Sequence, residues 1–124
     1  MPVYEGGFDP PAPVARVDVI GPTGRQSNVP MLIDTGSDDS VVPRRVADAV
    51  GAAVHASPYR LELFDGSVVP AEEAEIIVRL APYRFAGAYL VEDKEYGILG
   101  RNILRHLVLR LDGPRQGWTL AGGI

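Results

Sequence analysis

In MLIDTGSDDS, residues 31–40, three apolar side chains run straight into a carboxylate, and two more carboxylates follow. Asp34, Asp38 and Asp39 repel one another, and the apolar approach through Met31, Leu32 and Ile33 implies that Asp34 is at least partly buried. A buried carboxylate is costly unless it is paired, hydrogen-bonded or protonated. The remainder of the chain must supply the reason for placing one at the end of its most apolar strand.

The chain has 124 residues, 46% of them hydrophobic, which suits one compact domain with a single core. A net charge of -4 argues against a nucleic-acid partner, which normally meets a basic face. No apolar run approaches the roughly 20 residues that cross a membrane. The opening MPVYEGGFDPPAPVARV lacks a basic start followed by an apolar stretch, so no secretory signal is expected and a cytoplasmic location is. Zero cysteines exclude a disulfide framework and thiolate chemistry. Residues 1–13, with Gly6-Gly7 and Pro10-Pro11-Ala12-Pro13, read as an extended N-terminal arm, either free or paired with another chain. The domain proper is expected over 14–124.

Glycine and proline are scattered between short apolar segments, the pattern of many strands joined by turns. Ala15, Val17 and Val19 alternate with Arg16 and Asp18, a half-buried strand. Gly21-Pro22-Thr23-Gly24 turns the chain, and Val29 to Asp34 returns as a more buried strand. Val41 to Val50 reads as a short helix, with Pro43 in its first turn and Gly51 as its stop. Asp65-Gly66 between Leu61-Glu62-Leu63-Phe64 and Val68-Val69 is a hairpin signal, because glycine takes the positive φ that the turn needs. Ala74 to Leu80 and Phe85 to Val91 are further strands. Ile98-Leu99-Gly100 leads to a short helix from Arg101 to Arg105, and Leu107 to Leu111 and Trp118 to Leu120 close the chain as a hairpin. The class is all-β, with one or two short helices.

Few hydrolytic mechanisms fit these residues. His55 and His106 have no zinc-ligand spacing, so no metal is expected, and structural or surface roles suit them. Ser37 and Ser40 are not in a Gly-x-Ser-x-Gly elbow. No glycine loop followed by lysine cradles a phosphate, since Lys94 is the single lysine. A carboxylate pair remains. Two aspartates held about 3 Å apart share one proton, because both cannot ionise. The charged member can deprotonate a water while the protonated member hydrogen-bonds a substrate carbonyl. Such sharing accounts for a partly buried Asp34, and the small residues Thr35-Gly36-Ser37 let the backbone turn closely around it.

Ile33-Asp34-Thr35-Gly36-Ser37 resembles the Asp-Thr-Gly-Ser/Ala motif of aspartic proteases, and Leu32 to Val42 resembles the single-domain, retroviral-type retropepsins. Gly97-Ile98-Leu99-Gly100-Arg101-Asn102-Ile103-Leu104 is similar to the apolar-apolar-Gly-Arg-Asn/Asp block near the retropepsin C-terminus. The two blocks stand in the family's order, with the Asp65-Gly66 hairpin between them where the family has its flap. The resemblance implies a closed β-barrel of the acid-protease type that needs no cofactor and cleaves polypeptides. Asp-Thr-Gly occurs once, and the chain is too short for two lobes, so the second aspartate would come from a second chain. A C2 homodimer with one site on its axis is the expected unit.

The resemblance further implies catalytic roles for Asp34, Thr35 and Gly36. Thr35 would hydrogen-bond across the dimer, and Gly36 would allow close approach to substrate backbone. Asp38 and Asp39 match the acidic pair that contacts substrate, and Arg101 matches the arginine that pairs with Asp38. From the residues alone, Arg44 and Arg45 are rival partners for that carboxylate. Phe64, Asp65 and Gly66 would lie over substrate, and Ile98 in the pocket wall. This hairpin carries one glycine and a carboxylate where retroviral flap tips are glycine-rich, so Phe64 is an alternative apolar lid. Leu32, Ile33, Val42, Leu61, Leu63, Val68, Ile76, Val78 and Leu99 divide between core and pocket. The reading of a different class is a non-catalytic peptide-binding or dimerisation module on the same fold.

Overall fold

The computed structural model describes residues 1–63 and 65–122. Strand β1 (Val14–Gly21) buries Val17 and Val19 and pairs antiparallel with β2 (Gly24–Ile33), Val17 opposite Val29. The inner half of β2 buries every second residue, Val29, Met31 and Ile33, so the period-two pattern expected of a half-buried strand persists up to Asp34.

Val41–Pro43 is strand β3, and the helix α1 spans only Arg44–Ala49. The helix expected from Val41 therefore starts three residues later than the sequence pattern suggested. All three residues of β3 are buried. Val41 and Val42 run parallel to Leu90 and Val91, and Val41 also opposes Ile98. Short apolar runs have no periodicity that separates strand from helix, and here tertiary pairing on two sides decides. Pro43, which has no N–H to donate, stands at the N-cap of α1 in extended conformation.

Strands β4 (His55–Glu62) and β5 (Val68–Leu80) form the Asp65-Gly66 hairpin, with Leu61 opposite Val69 and Glu62 opposite Val68. β6 (Tyr83–Glu92) returns antiparallel to β5, and β7 (Gly97–Leu99) leads into α2 (Arg101–Leu104). β8 (Leu107–Asp112) and β9 (Gly117–Gly122) form a separate hairpin.

The strand order β1-β2-β7-β3-β6-β5 closes on itself, because β1 also pairs with β5 through Asp18–Arg79, Val19–Val78 and Ile20–Ile77. The result is a six-stranded closed barrel, with β4 added outside β5. Closure removes the free edges that an open sheet of this size would present. Val17, Val19, Met31, Val42, Val78 and Leu99 fill its interior, and Trp118 of β9 joins the same core. Burying each such aliphatic side chain is worth about 1.5–3 kcal/mol, so the barrel is the stable frame on which the loops are mounted.

The first residues lie along their own domain. Trp118 N–H donates to the Pro2 carbonyl at 3.0 Å and Tyr4 N–H to the Gln116 carbonyl at 2.6 Å. Phe8 meets Tyr96 edge-on at 5.0 Å, and Arg16 grips Glu5. Among the described residues, no helix is long and apolar enough to cross a membrane.

Candidate active site

Asp34 is delivered by a parallel pair of strands. β2 and β7 align Met31 with Gly97, Leu32 with Ile98 and Ile33 with Leu99. The Asp34 N–H extends this ladder by donating to the Leu99 carbonyl at 3.0 Å. There the backbone leaves the sheet. Ser37 N–H donates to the Asp34 carbonyl at 3.2 Å, and Gly36 N–H donates to Asp34 Oδ1 at 2.9 Å. The turn thus supplies one of the hydrogen bonds that a half-buried carboxylate requires. A Cβ on residue 36 would stand 3.2 Å from that same oxygen, so the smallest residue suits the position.

The loop from 34 to 40 is fastened to the segment Gly100–Asn102, some sixty residues away in the chain. Arg101 N–H donates to the Ser37 carbonyl at 2.8 Å, and Asn102 N–H to the Asp38 carbonyl at 3.2 Å. Gly100 packs so closely under the loop that a Cβ there would collide with the Asp39 carbonyl oxygen and approach the Ser37 carbonyl to 3.0 Å. The Arg101 guanidinium donates through Nη1 to the Thr35 carbonyl at 2.7 Å and through Nη2 to the Asp38 carboxylate. Both side chains of the ion pair are largely exposed, 51% for Arg101 and 81% for Asp38, so its worth to stability is only about 0–1 kcal/mol. Its forked geometry fixes orientation instead. Asp39 is half-buried, and its carbonyl accepts from Ser37 Oγ at 2.7 Å.

The rival arginines are engaged elsewhere. Arg44 donates to Glu72 and Asp93, each at 2.6 Å, and the two carboxylates raise its pKa. Arg45 donates to the Glu95 carbonyl at 2.9 Å.

Among the described residues, the tip of the β4–β5 hairpin is held by hydrogen bonds within the hairpin. Leu63 N–H donates to the Ser67 carbonyl at 2.8 Å, and Gly66 N–H to the Leu63 carbonyl at 2.9 Å, with Gly66 at a φ of 85°. The Asp65 carboxylate accepts from Ser67 Oγ at 2.6 Å and Ser67 N–H at 2.9 Å, and these bonds hold its pKa below the ordinary value. Leu63 and Val68 are exposed. Phe64 lies outside the described residues. Leu61 turns inward, toward Ile98, Val41, Ala71 and Leu90, in a small apolar cluster separate from the main core. Ile98 is half-buried there, between Leu32 and Val41. Ile33, Val42, Ile76, Val78 and Leu99 belong instead to the main core.

Among the described residues, no group of three His, Cys, Asp or Glu side chains could hold a metal ion. His55 is exposed at the start of β4, and His106 stacks on Phe85 with 6.1 Å between ring centres. Sequence reading gave Ser40 no role, yet it is a buried polar residue at the back of the loop. Its hydroxyl donates to Asn102 Oδ1 at 2.7 Å and accepts the Gly100 N–H at 2.9 Å. The one available signal was that Gly100 and Asn102 flank Arg101 in the second block.

A closed barrel carrying an Asp-Thr-Gly loop beside a Gly-Arg-Asn segment is the retropepsin-like fold. The chain belongs to the aspartyl protease family, whose model matches residues 15–103. The same fold occurs in the EIAV protease complexed with the inhibitor HBY-793, a retroviral protease with which this chain shares 21% identity and a TM-score of 0.61 over 76% of this chain and 86% of that one. No curated protein matches the sequence at a significant level.

Proposed function

We propose that the chain is an aspartic endopeptidase that works as a C2 homodimer, with Asp34 of each protomer forming one catalytic pair on the twofold axis. The observation that carries this reading is the single Asp34 loop. It is tethered on its inner side to β7 and α2, half-buried, and present once per chain. One protomer holds half of a two-carboxylate site, and a rotation axis beside Asp34 supplies the other half.

In the complete site the ionised carboxylate takes a proton from water as that water adds to the scissile carbonyl carbon. The protonated partner donates to the carbonyl oxygen. The first carboxylate then gives its proton to the amide nitrogen as the C–N bond breaks, and the partner regains a proton from a hydroxyl of the collapsing intermediate. The proton belongs to the pair rather than to either residue. Thr35, whose carbonyl is held by Arg101, hydrogen-bonds its counterpart beneath the aspartates. Gly36 leaves room for substrate backbone. Asp38, oriented by Arg101, and Asp39 meet the backbone or flanking side chains of the substrate. The hairpin carrying Phe64, Asp65 and Gly66 covers the bound peptide, and Ile98 with its apolar neighbours favours apolar side chains near the cleaved bond.

A folded binding module without catalysis is the second reading, favoured by one observation: the hairpin tip carries a carboxylate and a single glycine, unlike a glycine-rich flap. Cleavage of a diverse peptide library between pH 3.5 and 8 separates the two readings. The expected result is cleavage between apolar residues that falls by about 10²–10⁴-fold in Asp34→Asn, while sedimentation shows the variant still dimeric. A folded wild-type dimer that cleaves nothing at any pH refutes the enzyme and leaves the binder.

A further inference from the structure

Ser40 ends the 34–40 loop, and its hydroxyl bonds Gly100 and Asn102 rather than the groups assigned to chemistry. It is 1% exposed. Its hydroxyl is engaged both ways: it accepts the Gly100 N–H at 2.9 Å, and its proton goes to Asn102 Oδ1 at 2.7 Å. The polar chain therefore runs in one direction, from Gly100 N–H through Ser40 Oγ–H to the Asn102 amide oxygen. Its backbone is held as well, with Leu90 N–H donating to the Ser40 carbonyl at 3.2 Å.

Gly100 and Asn102, the two residues gripped by this hydroxyl, flank Arg101. Arg101 in turn holds the Thr35 carbonyl and the Asp38 carboxylate. From the Ser40 hydroxyl to the residue beside Asp34 there are only two hydrogen-bonded links. We propose that Ser40 is a positioning residue. Its hydroxyl locks the Gly100–Asn102 segment against the end of the 34–40 loop, so that Arg101 holds Thr35 and, through it, the Asp34 carboxylate at working height. The proposal rests on the aspartic-dyad reading for its catalytic consequence, but the geometry it describes exists in each protomer.

The physical case is one of buried polarity. Removing the hydroxyl leaves the buried Gly100 N–H without its acceptor, and a buried donor without a partner moves toward another one. Gly100 has little room to move, because it already abuts the Asp39 and Ser37 carbonyls. The displacement is passed to the loop. An error of about 1 Å in a catalytic group costs on the order of 10²-fold in rate.

Two variants of matched shape isolate the hydroxyl: Ser40→Thr and Ser40→Val. Each adds the same bulk to the buried site, and only threonine keeps the donor and acceptor. Steady-state kinetics on a cleaved peptide, the pH profile of kcat/KM and melting temperatures would be measured for both. The expected result is a kcat for Ser40→Val lower than that for Ser40→Thr by about 10–10²-fold. KM should change little, and the pH profile should shift for valine alone. Equal kcat and equal pH profiles for the two variants overturn the proposal, whatever the melting temperatures. Should the wild type cleave nothing, the dyad reading has failed, and the Thr35 and Gly36 amide resonances then decide. Movement of those resonances in Ser40→Val but not in Ser40→Thr upholds the positioning role, and unmoved resonances in both refute it.

Discussion

Two segments of this chain end in a turn built around an aspartate, and they are held in opposite ways. The loop from 34 to 40 is tied to a remote part of the chain through Leu99, Gly100, Arg101 and Asn102, by backbone, hydroxyl and guanidinium together. Among the described residues, the tip of the hairpin at Asp65 makes its hydrogen bonds within itself, through Ser67 and Leu63. The first turn inherits the rigidity of the barrel, because displacing it breaks contacts in β7 and α2. The second keeps the hydrogen bonds of its tip within the hairpin, so displacing the tip as a unit would break none of them. The proposed activity would use both properties, a fixed carboxylate in the first turn and a cover that opens in the second.

The contrast breaks first at Gly100. Gly100→Ala forces a Cβ into the Asp39 and Ser37 carbonyls, so it should cost about 1–3 kcal/mol in urea unfolding and lower kcat by on the order of 10²-fold through loop displacement. Native stability together with native activity in that variant would show the loop to be less tightly fastened than the contacts imply.

Arg101→Lys should separate orientation from stability. An ammonium cannot reach the Thr35 carbonyl and the Asp38 carboxylate with a fork. The expected outcome is a kcat/KM lowered by about 10-fold or more with unfolding free energy changed by less than about 1 kcal/mol, since the ion pair is exposed. A large loss of stability would make Arg101 a structural residue rather than an orienting one.

At the hairpin the effects should be smaller and local. Gly66→Ala places a side chain at a φ of 85°, a strain of about 1–2 kcal/mol. Because the tip's hydrogen bonds lie within the hairpin, the global melting temperature should hardly move, while amide exchange at Leu63 and Ser67 quickens and kcat/KM falls several-fold. A drop in global stability equal to the strain would mean that the hairpin folds as part of the barrel.

The smallest effect is set by pH. The Ser67 bonds depress the Asp65 pKa relative to the unfolded chain, so their support of the turn is fully present above the ordinary carboxylate value of 3.8 and is lost as pH falls through the lower folded value. Protection of the Ser67 amide should therefore persist through mild acid and decline only below that range. Loss of protection already near pH 5 would contradict the clasp.

These comparisons also show where the sequence is transparent. The Asp-Gly turn, the alternation in β1 and β5, and the two motif blocks are local signals, and local signals survive in a linear reading. Val41–Pro43 was opaque because a three-residue apolar strand has no period, and only its neighbours Leu90 and Ile98 make it a strand. The N-terminal half of β4, from His55, gave no alternation to follow: Pro58 interrupts it, and most of its side chains are exposed. In the site, Asp34 was conspicuous through its apolar approach. The choice among Arg44, Arg45 and Arg101 was open until Glu72, Asp93 and the Glu95 carbonyl were seen to occupy the first two. Ser40 was invisible for the same reason, since its meaning lies in a partner 62 residues away.

The account stands or falls on two Asp34 side chains serving one site, and mixed dimers test that directly. Wild type and Asp34→Asn, mixed in equal amounts and allowed to exchange subunits, give about one quarter wild-type homodimers by random pairing. If the site needs both carboxylates, activity per total chain falls to about one quarter of the wild-type value at the same total concentration. Activity at about one half, as expected of protomers that work independently, would contradict it.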